Sequence, residues 1–183
     1  MFNSRISRTS INLYLAIIII FLLVQLLFRG REFFDLHEYQ FLQATAIANA
    51  FLVTFTIAIF TAHNVWQASK NPNYSFLSVF KLAFLPAFLA GSMAIISVFA
   101  YYHFIDPIAI DQLKHEYLDH SLLQAKGIDN YDEVVAQVNS PEVRGFSLLN
   151  FRTFTFLLFA LLFFCFSLSL MFSFLWKVKN TSS

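Results

Sequence analysis

The stretch His115-Glu116-Tyr117-Leu118-Asp119-His120 comes nearest to a chemical motif in this chain. Zinc sites of the His-Glu-x-x-His type place two imidazoles at i and i+4, on one helix face, with a general-base Glu beside them. Here position i+4 is Asp119, and His120 at i+5 is turned a further ~100° about a helix of ~3.6 residues per turn. His115 and Asp119 still form a pair that one metal ion can bridge. His37-Glu38, on the same side of the membrane in the topology below, supplies further donors for a metal or for acid/base work at that surface. The competing reading, which we favour, makes these residues solvated faces of surface helices, with His115 and Asp119 in at most an i, i+4 contact. It tilts the chain away from an enzyme and calls for neither metal nor cofactor.

Other chemistries find less support. Cys165 is the single cysteine, lies within the last apolar run, and has no internal partner for a disulfide. Neither Cys165 nor Ser167 has a nearby base to activate it, and no phosphate-cradling glycine loop or Cys-x-x-Cys pair occurs. A pump or channel usually carries an ionisable group deep in its bundle. The deep polar residues here are Gln25, Asn49, Thr54, Thr56, Ser167 and Ser169. Asn49 reads as an interhelical hydrogen bond before it reads as a substrate ligand. A small oligomeric transporter lined by Gln43, Asn49 and Thr56 is the weakest of the readings weighed.

The elements that would position these residues follow from composition. The chain has 183 residues, 58% hydrophobic and 13% charged, with 25 Phe, whereas soluble domains carry about a quarter charged residues. Without a basic block, nucleic acid is not expected as a partner. A helix needs roughly 20 apolar residues to cross a hydrocarbon layer of about 30 Å. Four windows meet or approach that length, at 11–28, 41–62, 80–104 and 151–176. Lipid offers backbone groups no partners, so each window is expected to be helical. The fold expected is all-α, a polytopic transmembrane four-helix bundle forming a single membrane domain over 1–183. Arg5 and Arg8 before the first window resemble a signal peptide, but the window exceeds a usual signal core. Arg29-Gly30-Arg31 offers no small-x-small cleavage site, so an uncleaved anchor is expected.

Four spans place both termini on one side, with residues 105–150 on the other. The 12 Lys and Arg split evenly: Arg5, Arg8, Lys70, Lys81, Lys177 and Lys179 on the terminal side against Arg29, Arg31, Lys114, Lys126, Arg144 and Arg152. The terminal side packs its share into fewer loop residues, and all 11 acids lie on the opposite side. Cytoplasmic termini are therefore expected. Trp66 and Trp176 would anchor one interface, and Tyr39, Tyr101 and Tyr102 the other. Small residues permit close helix approach in lipid. Those of the second window (Ala44, Ala46, Ala48, Ala50) are expected to meet those of the third (Ala87, Ala90, Gly91, Ser92, Ala94). Phenylalanines spread over several faces of the fourth window suit lipid.

Segment 105–150 reads as an amphipathic helical hairpin outside the cytoplasm. Asp106 is a fitting N-cap and Pro107 a fitting first helical residue. Ile110, Leu113, Tyr117 and Leu118 make the apolar stripe, and Lys126-Gly127 the stop. Asn130, with Glu133 three residues on, suggests a capping box for a second helix ended by Ser140-Pro141. Asp106 and Arg152 border the bracketing spans, and an ion pair between them would fix the hairpin to the membrane surface. The order of an aromatic span end, Phe104-Ile105-Asp106-Pro107, an acidic helix, a Gly, a second acidic helix, a Pro and a fourth span resembles an uncharacterised bacterial family. That family is domain of unknown function 4199, small four-span inner-membrane proteins, and the likeness is sharpest over 102–111. It implies architecture and an inner-membrane location, and no activity. The function expected is a non-catalytic scaffold or accessory subunit that docks a protein or lipid partner through the hairpin, its partners being membrane lipid and either another protein or further copies of itself.

Overall fold

The computed structural model describes residues 2–29, 38–70, 74–126, 130–145 and 150–181. Among them the regular structure is helical throughout: α1 (Phe2–Arg29), α2 (Glu38–Ser69), α3 (Phe76–Ala100), a π-helical turn (Tyr101–Ile105), α4 (Pro107–Ala125), α5 (Tyr131–Val138), α6 (Pro141–Arg144) and α7 (Phe151–Thr181). Four stretches are long and apolar enough to cross a membrane, Ser4–Leu27, Gln43–Ala68, Phe76–Ile105 and Phe151–Val178. This is a multi-pass membrane protein. The helices overrun the apolar windows read from sequence, because a helix continues past the hydrocarbon wherever its end is capped or its polar side chains are wetted.

Capping sets several of those ends. Ser75 accepts a hydrogen bond from the Ser78 amide at 3.3 Å and starts α3. Asn150 Oδ1 accepts from the Thr153 amide at 2.8 Å and starts α7. Pro107 is indeed the first residue of α4. At Asn130 the expected capping box does not form: no side-chain bond is made, and its backbone carbonyl instead takes the Glu133 and Val134 amides, both at 3.1 Å. Ser140-Pro141 ends α5 and also begins α6, with Ser140 Oγ accepting from the Val143 amide.

The long helices run up, down, up, down. Tyr14 meets Ser97 and Gln25 meets Tyr102, so α1 and α3 are parallel. Phe80 meets Phe166 while Phe99 meets Phe154, so α3 and α7 are antiparallel. Both α2 and α3 touch α1 and α7 as well as each other. The α2–α3 pair is thus the central wall, with α1 and α7 against it. One apolar cluster gathers Leu13, Ile17, Ile57, Ala87, Ala90, Ala94 and Cys165. A second gathers Ile6, Val65, Ala68, Val79, Leu82 and Ala83, with Trp176 packed on it. This second cluster joins the starts of α1 and α3 to the ends of α2 and α7, so the two ends of the chain share one end of the bundle.

Helices α2 and α3 do pack together, although the alanines of α2 are not its most buried positions and the side chain of Ala46 lies outside the described residues. Ala50 is exposed and Ala44 and Ala48 are half-buried, whereas Ile57, Thr61, Val65 and Ala68 form the buried stripe of α2. On α3, Ala83, Ala87, Ala90, Gly91 and Ala94 are all buried. Gly91 lies so close to α7 that a Cβ there would stand 2.7 Å from Leu161 Cδ2. Phe156, Phe159, Phe163, Phe166 and Phe174 of α7 are exposed in the isolated chain, as lipid-facing residues must be.

Candidate functional site

The polar segment between the third and fourth spanning helices is built on the π-helical turn. A π turn inserts one residue into the helical repeat and re-aims the chain that follows. Here it closes with the Asp106 amide on the Tyr101 carbonyl at 3.0 Å, after which Pro107 starts α4. It leaves Phe104 and Ile105 79% and 73% exposed. His103 stands edge-on to Phe104, with ring centroids 5.0 Å apart.

The turn is clasped to α1. Gln25 Nε2 donates to the Tyr102 hydroxyl at 2.9 Å, and Phe21 packs edge-on against Tyr101 at 5.5 Å and Tyr102 at 6.2 Å. A turn of helix deeper, Ser97 Oγ gives its proton to the Met93 carbonyl at 2.9 Å. The Tyr14 hydroxyl, 2.9 Å from the same oxygen, is therefore the donor in that second α1–α3 bond. In sequence, Gln25 and Tyr102 stand out only as a polar residue and an interface aromatic. Nothing in either stretch announces the π turn that brings them together.

Beyond the turn, α4 touches both α2 and α5, and α5 touches α6. Leu118, Ala125 and Val138 are buried in this assembly. Lys114 Nζ donates to the Arg144 carbonyl, and Arg144 Nη2 to Asn139 Oδ1, tying α4, α5 and α6 together. Of the expected apolar stripe, Leu118 is buried and Tyr117 exposed, while the side chains of Ile110 and Leu113 lie outside the described residues.

The candidate ligands are dispersed. His115 and Asp119 are exposed on α4, and His120 Nε2 lies 3.1 Å from Gln124 Nε2. Among the described residues, no three His, Cys, Asp or Glu side chains converge as metal ligands. His37 lies outside the described residues, as does the side chain of Glu38. Asp106, half-buried, follows the π turn, and Arg152 is exposed in the first turn of α7. Asn49 is half-buried on α2, and its Oδ1 has no partner among the described residues.

The family comparison fits this architecture, since the match takes in most of the first span, the other three, and the polar segment between the last two. A family model described as a protein of unknown function, DUF4199, matches residues 10–178. The chain belongs to DUF4199. No curated protein and no solved structure matches it. For a DUF4199 protein the family adds no substrate or partner, so functional argument rests on the geometry. Within the bundle that geometry is uncharged: the buried polar residues described are Ser10, Thr45, Thr61, Asn64, Ser169 and Ser173. Ser10 bonds the carbonyl four residues back. The hydroxyls of Thr61, Ser169 and Ser173 have no partner among the described residues, although rotation about χ1 brings the same kind of carbonyl within reach.

Proposed function

We propose that this protein is a non-catalytic, multi-pass protein of a bacterial inner membrane, with both termini in the cytoplasm. It acts as a scaffold or accessory subunit that docks a partner through α4 to α6 on the outer face. One observation carries the reading. Asp111, His115 and Asp119, spaced by four, share an exposed face of α4, while Leu118 and Ala125 of the same helix are buried. A helix held from one side and charged on the other presents its polar face to whatever lies beyond. The uncharged interior supports this assignment, because a proton or ion carrier ordinarily keeps an ionisable group at depth. Arg5, Arg8, Lys70, Lys81, Lys177 and Lys179 near the shared end favour the cytoplasm for that end.

A photo-crosslinking residue placed at Asp119 should capture a discrete partner in intact cells, whereas one at Phe163 should capture lipid alone. Replacing Asp111 and Asp119 together by Lys should abolish capture from His115. Undiminished capture after that charge reversal would refute docking through this face. Reporter fusions near Asp119 that read out as cytosolic would refute the orientation.

A further inference from the structure

At the opposite end of the bundle, α1 and α2 part to leave a cavity of about 440 Å³. Its walls are Arg5, Arg8, Thr9 and Asn12 of α1, and Phe60, His63, Asn64 and Gln67 of α2. Each set follows the spacing of a single helix face, so two polar faces confront each other over about two turns, where most of the bundle interior is apolar. Two guanidinium groups one turn apart repel each other and call for negative charge between them. The chain supplies none nearby: no Asp or Glu occurs in residues 1–31, 41–105 or 151–183, the stretches that form the spanning helices beyond the first residues of α2.

Two other cations at this end have different neighbours. Lys70 Nζ sits 3.8 Å from the Trp66 ring centroid and Lys177 Nζ 6.0 Å from that of Phe76. Arg5 and Arg8 line the cavity instead. Asn64, only 8% exposed, lines it too. Gln67 Nε2, 3.5 Å from His63 Nε2, and Asn12 add neutral donors. Arg presents a planar fork of donors that matches phosphate oxygens two at a time. A cavity of this volume is of ordinary ligand-site size.

We propose that this crevice binds a phosphate group, with Arg5 and Arg8 as the charged clamp and Asn12, Asn64 and Gln67 as donors to the remaining oxygens. Depth favours the headgroup of an anionic phospholipid as its source. Arg8 precedes Leu27 by ~19 residues, a rise of ~28 Å, which matches one hydrocarbon thickness and sets the clamp at headgroup level. Ile11 and Ile59, each beside a lining residue, are exposed and offer acyl chains an apolar surface.

The test uses the full chain in a neutral detergent. Thermal unfolding is followed with added phosphatidylglycerol, with phosphatidylcholine, and with inorganic phosphate as the soluble source. Phosphatidylglycerol should protect the chain at about one-tenth the concentration of phosphatidylcholine, and a joint Arg5→Gln, Arg8→Gln variant should lose that preference. Joint replacement of Lys70 and Lys177 by Gln, at the same end but outside the cavity, should retain it. Native mass spectrometry of retained lipid gives a readout independent of stability, and circular dichroism verifies that each variant is folded. Protection by inorganic phosphate that vanishes in the arginine variant supports the same clamp with a soluble anion as its source. The site is overturned if neither anion protects, if the arginine variant keeps the preference, or if the lysine variant loses it equally.

Discussion

The close approach of Gly91 to Leu161 gives a sign-reversing test of the packing. A Cβ at position 91 would stand 2.7 and 2.8 Å from the two δ carbons of Leu161 and 3.3 Å from its Cγ. Apolar carbons rest at about 3.5–4.0 Å, so the overlap is roughly 1 Å. Leu161 is half-buried against the Ile17, Ile57 and Ala90 cluster, so the clash falls on the far end of a side chain that must turn against that packing to make room. Forcing a methyl into a packed site costs about 1–3 kcal/mol, while Ala gains up to about 1 kcal/mol over Gly in a helix interior. Gly91→Ala should therefore destabilise the native chain by up to ~2 kcal/mol. In a Leu161→Ala background the δ carbons are gone and only the backbone gain is left. There the same substitution should be neutral or stabilising by up to ~1 kcal/mol. Reversible unfolding in mixed micelles, read by tryptophan fluorescence, measures all four corners of the cycle. Equal effects of Gly91→Ala in the two backgrounds would refute the close approach of α3 and α7 at this point.

Two further substitutions probe polar groups whose situations differ. Gln25→Leu removes the donor to Tyr102 and should lower stability by about 0.5–1.5 kcal/mol, with Tyr102→Phe adding little on top, because both delete one bond; unfolding midpoints of the singles and the double decide this. Asn49→Leu should leave stability unchanged or raise it. Asn49 Oδ1 has no partner to lose among the described residues, and an unpaired amide in an apolar setting carries a desolvation cost of about 1–3 kcal/mol. A clear loss in the same unfolding assay would show that Asn49 bonds across helices after all.

What was legible in the sequence is what hydrocarbon enforces. A run such as Phe151 to Trp176 has no alternative to a helix in lipid, and an even number of such helices returns the chain to the side from which it started. Caps were legible only where geometry left one choice: Pro107 suits a first turn in any context, whereas Asn130 had a carbonyl as well as a side chain to offer, and the carbonyl took the amides. Contact partners were less legible, because small residues permit close approach without selecting which helix approaches. Gly91 therefore meets Leu161 of α7, while Ala50 of α2 faces outward. The π turn left no mark, since an aromatic run such as Tyr101 to Ile105 suits the interfacial end of an ordinary α-helix equally well.

The arginine crevice had a signal that topology reasoning obscured. Arg5 and Arg8 count as orientation charges when each is weighed alone. The periodicity of the lining is more specific: 5, 8, 9 and 12 on one helix and 60, 63, 64 and 67 on the next both follow i, i+3, i+4, i+7. These helices are consecutive and antiparallel, so the start of one must lie beside the end of the other. Two polar faces at those positions either confront each other or turn outward at headgroup depth, and an outward turn would move the apolar face of α1 away from α3. Ile6, Leu13 and Ile17 are buried against the α3 clusters, which fixes the rotation of α1 and leaves Arg5 and Arg8 on the side facing α2.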